Sequence, residues 1–155
     1  WAQHSCSTAS NMESSEFDIT CEDHVLEAGL GFAVKTTKPN FIGREGVLRK
    51  KDAGLDKHMM QFRLQDPEPL LYHNEPILRD SEIVGYISSG SYGHHLGGAI
   101  GMGYLPCAGE TLEQLLSSNY EIDVASSRIG ADVSAKPMYD ASSARVKVQA
   151  SSRAV

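Results

Sequence analysis

The feature that most constrains this chain is a glycine-rich stretch from Gly85 to Leu105, which holds seven of its fourteen glycines. β-Branched and aromatic residues flank the centre of this stretch on both sides, and such residues favour strands. We therefore expect two strands joined by a loop rich in Gly, Ser and His over Ser88–Gly98. Gly101 and Gly103 are expected to mark bends or bulges in the second strand.

Short elements bounded by turn residues surround this stretch. The apolar, glycine-spaced run Glu27–Lys35 is interpreted as a buried strand. Arg44–Asp52 has helix formers and a basic last turn, with Gly54 as a stop, and this predicts a short helix. Pro76 suggests that its strand lies at a sheet edge. Besides the strand Glu82–Ile87, which enters the glycine-rich stretch, four further strands and one short capped helix are expected. The strands are at His58–Leu64, Glu75–Leu78, Tyr120–Val124 and Arg128–Ser134, and the helix is at Thr111–Ser118. Short strands with regular turns predict a mainly β chain forming a small barrel.

Length and charge exclude several classes of protein. A chain of 155 residues is one domain, or one domain and part of another. The net charge of −6 argues against a nucleic-acid partner, which favours a basic surface. No apolar run approaches the roughly 20 residues of a membrane span, so we expect no membrane partner. Three cysteines without a C-x-x-C motif indicate a reducing compartment rather than a disulfide framework.

The two ends of the chain carry little folding signal. The first residues form no signal peptide and include no initiator Met, so we expect a fragment of a longer polypeptide. Residues 1–21 are rich in Ser, Glu and Thr and are expected to be disordered or irregular. The Ser- and Ala-rich tail from Ala141 is expected to fray.

Motifs for common chemistries are incomplete. Gly93–Gly98 has the end glycines of a phosphate-binding loop but lacks the lysine that follows in such loops. An H-x-E motif at His73 is followed by P-C-x-x-E, in which Glu110 replaces the second cysteine of a zinc deaminase. The neighbours His94 and His95 would point to opposite faces of extended backbone, so they are poor joint metal ligands. We predict no metal site and no catalytic residue in this chain.

Four segments in register resemble one known family. They read LEAGLGFAVK at Leu26–Lys35, NFIGRE at Asn40–Glu45, VGYISSGSYGHHLG at Val84–Gly97 and KPMYD at Lys136–Asp140. This series is similar to the folate-dependent aminomethyltransferases, the glycine-cleavage T-protein family, over about residues 22–147. The run PLLYHNEPILRD most resembles the dimethylglycine and sarcosine dehydrogenase branch, in which an FAD-dependent amine-oxidising domain precedes the transferase-like part.

The resemblance implies a domain organisation and a chemistry. Residues 57–150 would be the C-terminal Greek-key β-barrel of the family, and residues 22–56 would end the preceding α+β, folate-binding domain. Residues 1–21 match no part of the family. In the family, tetrahydrofolate accepts a one-carbon unit from a methylated or aminomethyl amine. FAD and the catalytic groups would lie in upstream domains of the same polypeptide. The family implies a cytoplasmic location, or the mitochondrial matrix in a eukaryote.

The same resemblance implies a binding site and leaves two functions open. Phe32 and Tyr92 would pack on folate rings, Arg44 would meet a folate carboxylate, and His94 would make one hydrogen bond. The alternatives are a core role for Phe32 and a helix-surface charge for Arg44. The chain would then be either a module of a folate-dependent enzyme, inactive alone, or a non-catalytic β-barrel that binds or supports a partner.

Overall fold

A computed structural model describes residues 18–107 and 109–142 of the chain. Six antiparallel strands dominate this described part. A 3-10 turn at Gly31–Ala33 and helix α1 at Arg44–Ala53 precede the first strand, and helix α2 at Leu112–Ser117 lies between the fourth and fifth. The strands are β1 Lys57–Leu64, β2 Pro76–Arg79, β3 Glu82–Gly93, β4 Gly98–Pro106, β5 Tyr120–Val124 and β6 Ser127–Ser134.

The strands close into a barrel in the order β1-β4-β3-β2-β5-β6, with β6 pairing back onto β1. Hairpins join β2 to β3 and β3 to β4. The preceding strand β1 lies beside β4, and the following strand β5 returns to lie beside β2. Each placement makes a Greek key, so the barrel contains two overlapping ones. The predicted fold class, mainly β with a small Greek-key barrel, is confirmed.

The barrel interior is filled by alternate residues of the strands. In β1 the fully buried residues are Met60, Phe62 and Leu64, two apart, as a strand with one face on the core requires. Phe62 meets Tyr120 of β5 edge to face, with ring centroids 5.8 Å apart. Burial of these side chains is the main force that closes the sheet.

The loop between β1 and β2 folds back onto the barrel and inserts Leu71 into the core, where 1% of it is exposed. Two glycines leave room for it. A Cβ at Gly90 would lie 2.5 Å from the carbonyl carbon and Cβ of Leu71, and one at Gly101 would lie 3.2 Å from Leu71 Cδ1. Close approach of another part of the chain, rather than a positive φ, therefore requires glycine at these two positions.

The central hairpin differs from its prediction. The expected loop over Ser88–Gly98 is mostly strand, because β3 continues to Gly93 and pairs with β4 until Gly98, leaving a four-residue turn. The expected bulge is also on the other strand. Ile87 pairs with Gly103 and Ser89 pairs with Met102, so Ser88 is the extra residue in β3.

The prediction of a strand over Glu27–Lys35 is wrong. The run forms turns and the 3-10 helix instead, with Gly29 at φ 72° and Leu30 N bonded to Val25 O at 3.0 Å. The run lacks a neighbouring strand to pair with, and its exposed residues outnumber its buried ones. The expectation that Pro76 marks an edge is also wrong, since β2 lies between β3 and β5, and Pro76 is simply its first residue.

The other local predictions are confirmed. Helix α1 ends before Gly54, and α2 is capped by Thr111, whose side chain completes a capping box with Gln114. The β2–β3 and β5–β6 hairpins turn through pairs of positive-φ residues, at Asp80–Ser81 and Ala125–Ser126. The predictions for residues 1–17 and for the tail from 143 onward lie outside the described residues.

Candidate functional site

The described residues ahead of β1, 18–56, are called the N-terminal segment, and they are attached to the outer face of the barrel. The Asp18 carboxylate accepts hydrogen bonds from the hydroxyls of Ser88 at 2.6 Å and Ser89 at 3.0 Å. Further along, Met59 N of β1 donates to the carbonyl oxygen of Glu27 at 2.9 Å. The segment therefore contacts β3 and β1, the two strands on either side of β4.

Asp23 is the second attachment of this segment. It forms an ion pair with Lys57 at the start of β1 and accepts hydrogen bonds from Thr20 N at 2.7 Å and Thr20 Oγ1 at 2.9 Å. Burial raises the pKa of Asp23, but the bonds from Lys57 and Thr20 outweigh burial, so its pKa lies below the usual value. The Lys57 ammonium also lies 4.4 Å from the centre of the Tyr104 ring, a cation–π contact.

Glu27 is the third attachment and the most buried charged residue described, 4% exposed. Its carboxylate pairs with Lys50 of α1 at 2.9 Å and accepts from the backbone N of Asp56 at 3.1 Å and of His24 at 3.4 Å. Burial raises the pKa of Glu27, yet Lys50 and these amides hold it below its usual value. One carboxylate thus joins α1 through Lys50, the residue before β1 through Asp56, and the turn at His24.

Tyr104 lies among these attachments. Its hydroxyl is buried and has no hydrogen-bond partner within the described residues. Burial raises the pKa of Tyr104 well above its usual value, and the nearby carboxylates of Asp23, Asp18 and Glu27 raise it further. The phenol therefore stays protonated and is a donor without an acceptor. Sequence reasoning missed Tyr104, although its place next to inward-facing Leu105 on β4 signals an outward side chain.

The four residues predicted to bind a cofactor fall into two groups. Tyr92 and His94 are at the β3–β4 turn, where their rings meet edge to face with centroids 5.2 Å apart. Phe32 is on the 3-10 turn of the N-terminal segment and 76% exposed, so it is not part of the barrel core. Arg44 begins α1, and its Nε donates to Lys38 O at 3.2 Å.

The elements that carry these two groups meet β1 toward its opposite ends. The β3–β4 turn leads into Gly98, where a Cβ would be 3.2 Å from Leu64 O, whereas the N-terminal segment binds β1 at Met59. Five residues of strand separate these points by about 17 Å. A second ring contact joins His95 of the turn to Tyr139, which follows β6, with ring centroids 4.5 Å apart.

Reactive groups in the described residues are few. Within 18–107 and 109–142, no three His, Cys, Asp or Glu side chains form a group that could hold a metal ion. Burial raises the pKa of the Cys107 thiol, so it is a poor nucleophile. No helix of the described part has the length and apolar character to cross a membrane.

Comparison with known proteins assigns the barrel to a known domain family. Residues 57–140 match the model of the glycine cleavage T-protein C-terminal barrel domain. The chain is 32% identical to a 4-methylaminobutanoate oxidase (formaldehyde-forming) of Paenarthrobacter nicotinovorans, over 84% of this chain and 15% of the relative. It is 31% identical to the mitochondrial sarcosine dehydrogenase of Homo sapiens, over 84% and 14%. An aminomethyltransferase of Halothermothrix orenii is 39% identical, over 57% and 24%.

A solved structure agrees with the fold. The aminomethyltransferase T of the glycine cleavage system from Bartonella henselae superposes with a TM-score of 0.65 at 21% identity, over 77% of this chain and 33% of that one. The chain spans about a quarter or less of the three relatives named above. With more than half of its residues matched by the domain model, the chain belongs to the glycine cleavage T-protein family, of which it carries the C-terminal barrel domain.

Proposed function

We propose that this chain is the C-terminal part of a tetrahydrofolate-dependent, FAD-containing dehydrogenase that demethylates an N-methyl amine, and that its barrel closes the folate cavity. The observation that carries the proposal is the reach of the alignments. Those with the oxidase and the sarcosine dehydrogenase cover 84% of the chain, whereas those with aminomethyltransferases cover 57–74%. The similarity to amine-oxidising relatives thus extends further beyond the barrel.

The names of the two relatives share a substrate class. Sarcosine and 4-methylaminobutanoate are both N-methyl amines that carry a carboxylate. A flavin in an upstream domain would supply the oxidation of the N-methyl group, and tetrahydrofolate would supply the acceptor for the released one-carbon unit. A mitochondrial matrix location in a eukaryote, or a cytoplasmic one in a bacterium, is part of the proposal, and the human relative is a mitochondrial protein.

The N-terminal segment supports the proposed domain boundary, with residues 22–56 ending the preceding domain and residues 57–150 forming the barrel. Helix α1 has ten residues and buries none of them. Isolated helices of this length are marginal in water. Phe32 and Ile42, which precede α1 in the chain, are exposed, Ile42 fully. A helix without a fully buried residue, preceded by exposed apolar residues, is what a domain end looks like without the rest of its domain.

The proposed folate contacts use the two groups of residues differently. Tyr92 offers an aromatic face and His94 a hydrogen bond at the β3–β4 turn. Phe32 offers an exposed ring, and Arg44, held by Lys38 O, would place its guanidinium terminus toward a carboxylate. Because the two groups are far apart along β1, folate would contact both only if upstream residues complete the cavity between them.

Affinity measurements on the complete protein test these contacts. Tyr92→Ala and Arg44→Ala should each raise the Kd for tetrahydrofolate about tenfold, equal to about 1.4 kcal/mol, without a large loss of melting temperature. Matched controls are Tyr86→Ala, an exposed aromatic residue of the same strand, and Arg49→Ala, an exposed cation of the same helix. Equal affinity in site and control variants would show that the site assignment is wrong.

Product analysis tests the function itself. The complete protein, given sarcosine labelled with ¹³C in its methyl group, should place the label in methylenetetrahydrofolate when tetrahydrofolate is present. The chain described here, assayed alone with dimethylglycine, sarcosine, FAD and tetrahydrofolate, should show no turnover. If the complete protein does not oxidise any N-methyl amine, the alternative of a non-catalytic barrel module is favoured.

A further inference from the structure

Two consecutive serines of β3 direct their hydroxyls to one carboxylate. In a regular strand, neighbouring side chains point to opposite faces. Here Ser88 is the extra residue of a bulge, and a bulge re-aims side chains locally. Both hydroxyls therefore reach the two oxygens of Asp18, Ser88 at 2.6 Å and Ser89 at 3.0 Å. The bulge makes a two-point seat for a carboxylate.

The Ser88 hydroxyl has a choice of acceptor. Its oxygen is 2.6 Å from Asp18 Oδ1 and 3.1 Å from Met102 O. A hydroxyl carries one hydrogen, so it serves one of these acceptors at a time. The shorter bond to an ionised group is the stronger. Without Asp18, the hydroxyl turns to Met102 O and remains satisfied, so the seat can be emptied without harming the barrel.

The chain from Asp18 to Glu27, called the strap, continues from this seat across the barrel. Asp23 pairs with Lys57, and the Glu27 carbonyl accepts from Met59 N, both on β1. The seat lies on β3, so the strap spans the two strands that flank β4. The buried Tyr104 hydroxyl of β4 lies close to the strap carboxylates.

We propose that the Ser88–Ser89 bulge is a docking seat for a carboxylate of the segment N-terminal to the barrel. Asp18 in this seat latches the strap onto β3. A free anion is a poor occupant, because among the described residues the only groups shown to bind the carboxylate of Asp18 are two neutral hydroxyls. A carboxylate tethered to the barrel has a high effective concentration and avoids most of the entropy loss of association.

Amide exchange of this chain tests the latch. Asp18→Ala, and separately the pair Ser88→Ala with Ser89→Ala, should speed exchange at the Thr20 and Asp23 amides about tenfold. The combined triple variant should be no faster, because both changes remove the same bonds. Ser91→Ala, at an exposed serine of the same strand, should change nothing. Unchanged exchange in Asp18→Ala, or additive effects in the triple variant, would overturn the latch.

A second readout guards against a misfolded serine variant. Asp18→Ala leaves the barrel untouched and should also raise nitration of Tyr104 several-fold by opening the strap above it. One consequence of the latch rests on the proposed function. In the complete protein, Asp18→Ala should weaken the affinity for tetrahydrofolate and leave amine oxidation unchanged. If exchange quickens but folate affinity stays the same, the latch stands and the folate cavity is wrong. If exchange is unaffected, the latch is wrong whatever folate does.

Discussion

Gly90→Ala adds one carbon atom and should open the barrel. The added Cβ would lie 2.5 Å from the carbonyl carbon and Cβ of Leu71 and 2.6 Å from its carbonyl oxygen. Ordinary contacts with a Cβ begin near 3.4 Å, so the loop that carries Leu71 must move away by nearly an ångström. Two of the three atoms are backbone, so a change of rotamer cannot relieve the overlap.

The cost can be bounded from both sides. Overpacking a well-packed core costs about 1–3 kcal/mol. If the loop instead withdraws Leu71, which is 1% exposed, the barrel loses a buried leucine, worth about 2–5 kcal/mol. Replacing glycine also removes freedom from the unfolded chain, which returns about 0.4–1 kcal/mol. We expect a net loss of about 1–4 kcal/mol in the free energy of unfolding.

Urea denaturation followed by far-ultraviolet circular dichroism measures this loss as a lower midpoint. The control is Gly46→Ala in α1, where a Cβ would have no atom within 4 Å and φ is not positive. That change should leave the midpoint the same or higher, since alanine favours helix by about 1 kcal/mol over glycine. Equal midpoints for Gly90→Ala and the unchanged protein would refute the idea that close approach of Leu71 requires this glycine.

Three further outcomes follow from charge, exposure and capping. The pKa values of Asp23 and Glu27 lie below their ordinary 3.8 and 4.5, so both groups support attachment of the segment above those values. That support is lost as the pH falls through the lower folded values. Below about pH 4, the protection factors of the strap amides, which correct for the intrinsic pH dependence of exchange, should therefore fall before those of the β5–β6 hairpin. Iodoacetamide should label exposed Cys21 well before buried Cys107, as read by mass spectrometry. Thr111→Ala should lower stability by about 1 kcal/mol through loss of the capping box, seen as a lower urea midpoint.

Local patterns predicted the elements whose causes are local. The helix at Arg44–Ala53, the capped helix after Thr111 and the two tight hairpins depend on neighbouring residues, and these were all predictable. The barrel could be predicted from the spacing of short strands and from the family resemblance together. The length of β3 could not, because glycines that usually signal a loop serve here as space for Leu71, which is distant in the sequence from Gly90.

The attachments of the N-terminal segment were beyond sequence reasoning for a similar reason. The bonds of Glu27 to Lys50 and Asp56, and of Asp18 to Ser88, join residues far apart in the chain. No periodicity encodes such pairs. The apolar run after Glu27 resembled a strand because hydrophobic content alone does not tell whether another strand is present to pair with it.

The central claim is that the barrel closes a folate cavity with upstream domains. The most direct measurement is amide exchange of the complete protein with and without tetrahydrofolate. The account predicts slower exchange in peptides that cover the turn after Tyr92 and the region from Phe32 to Arg44, with no change in the β5–β6 hairpin. Protection confined to residues upstream of this chain, with both barrel-side regions unchanged, would contradict the account.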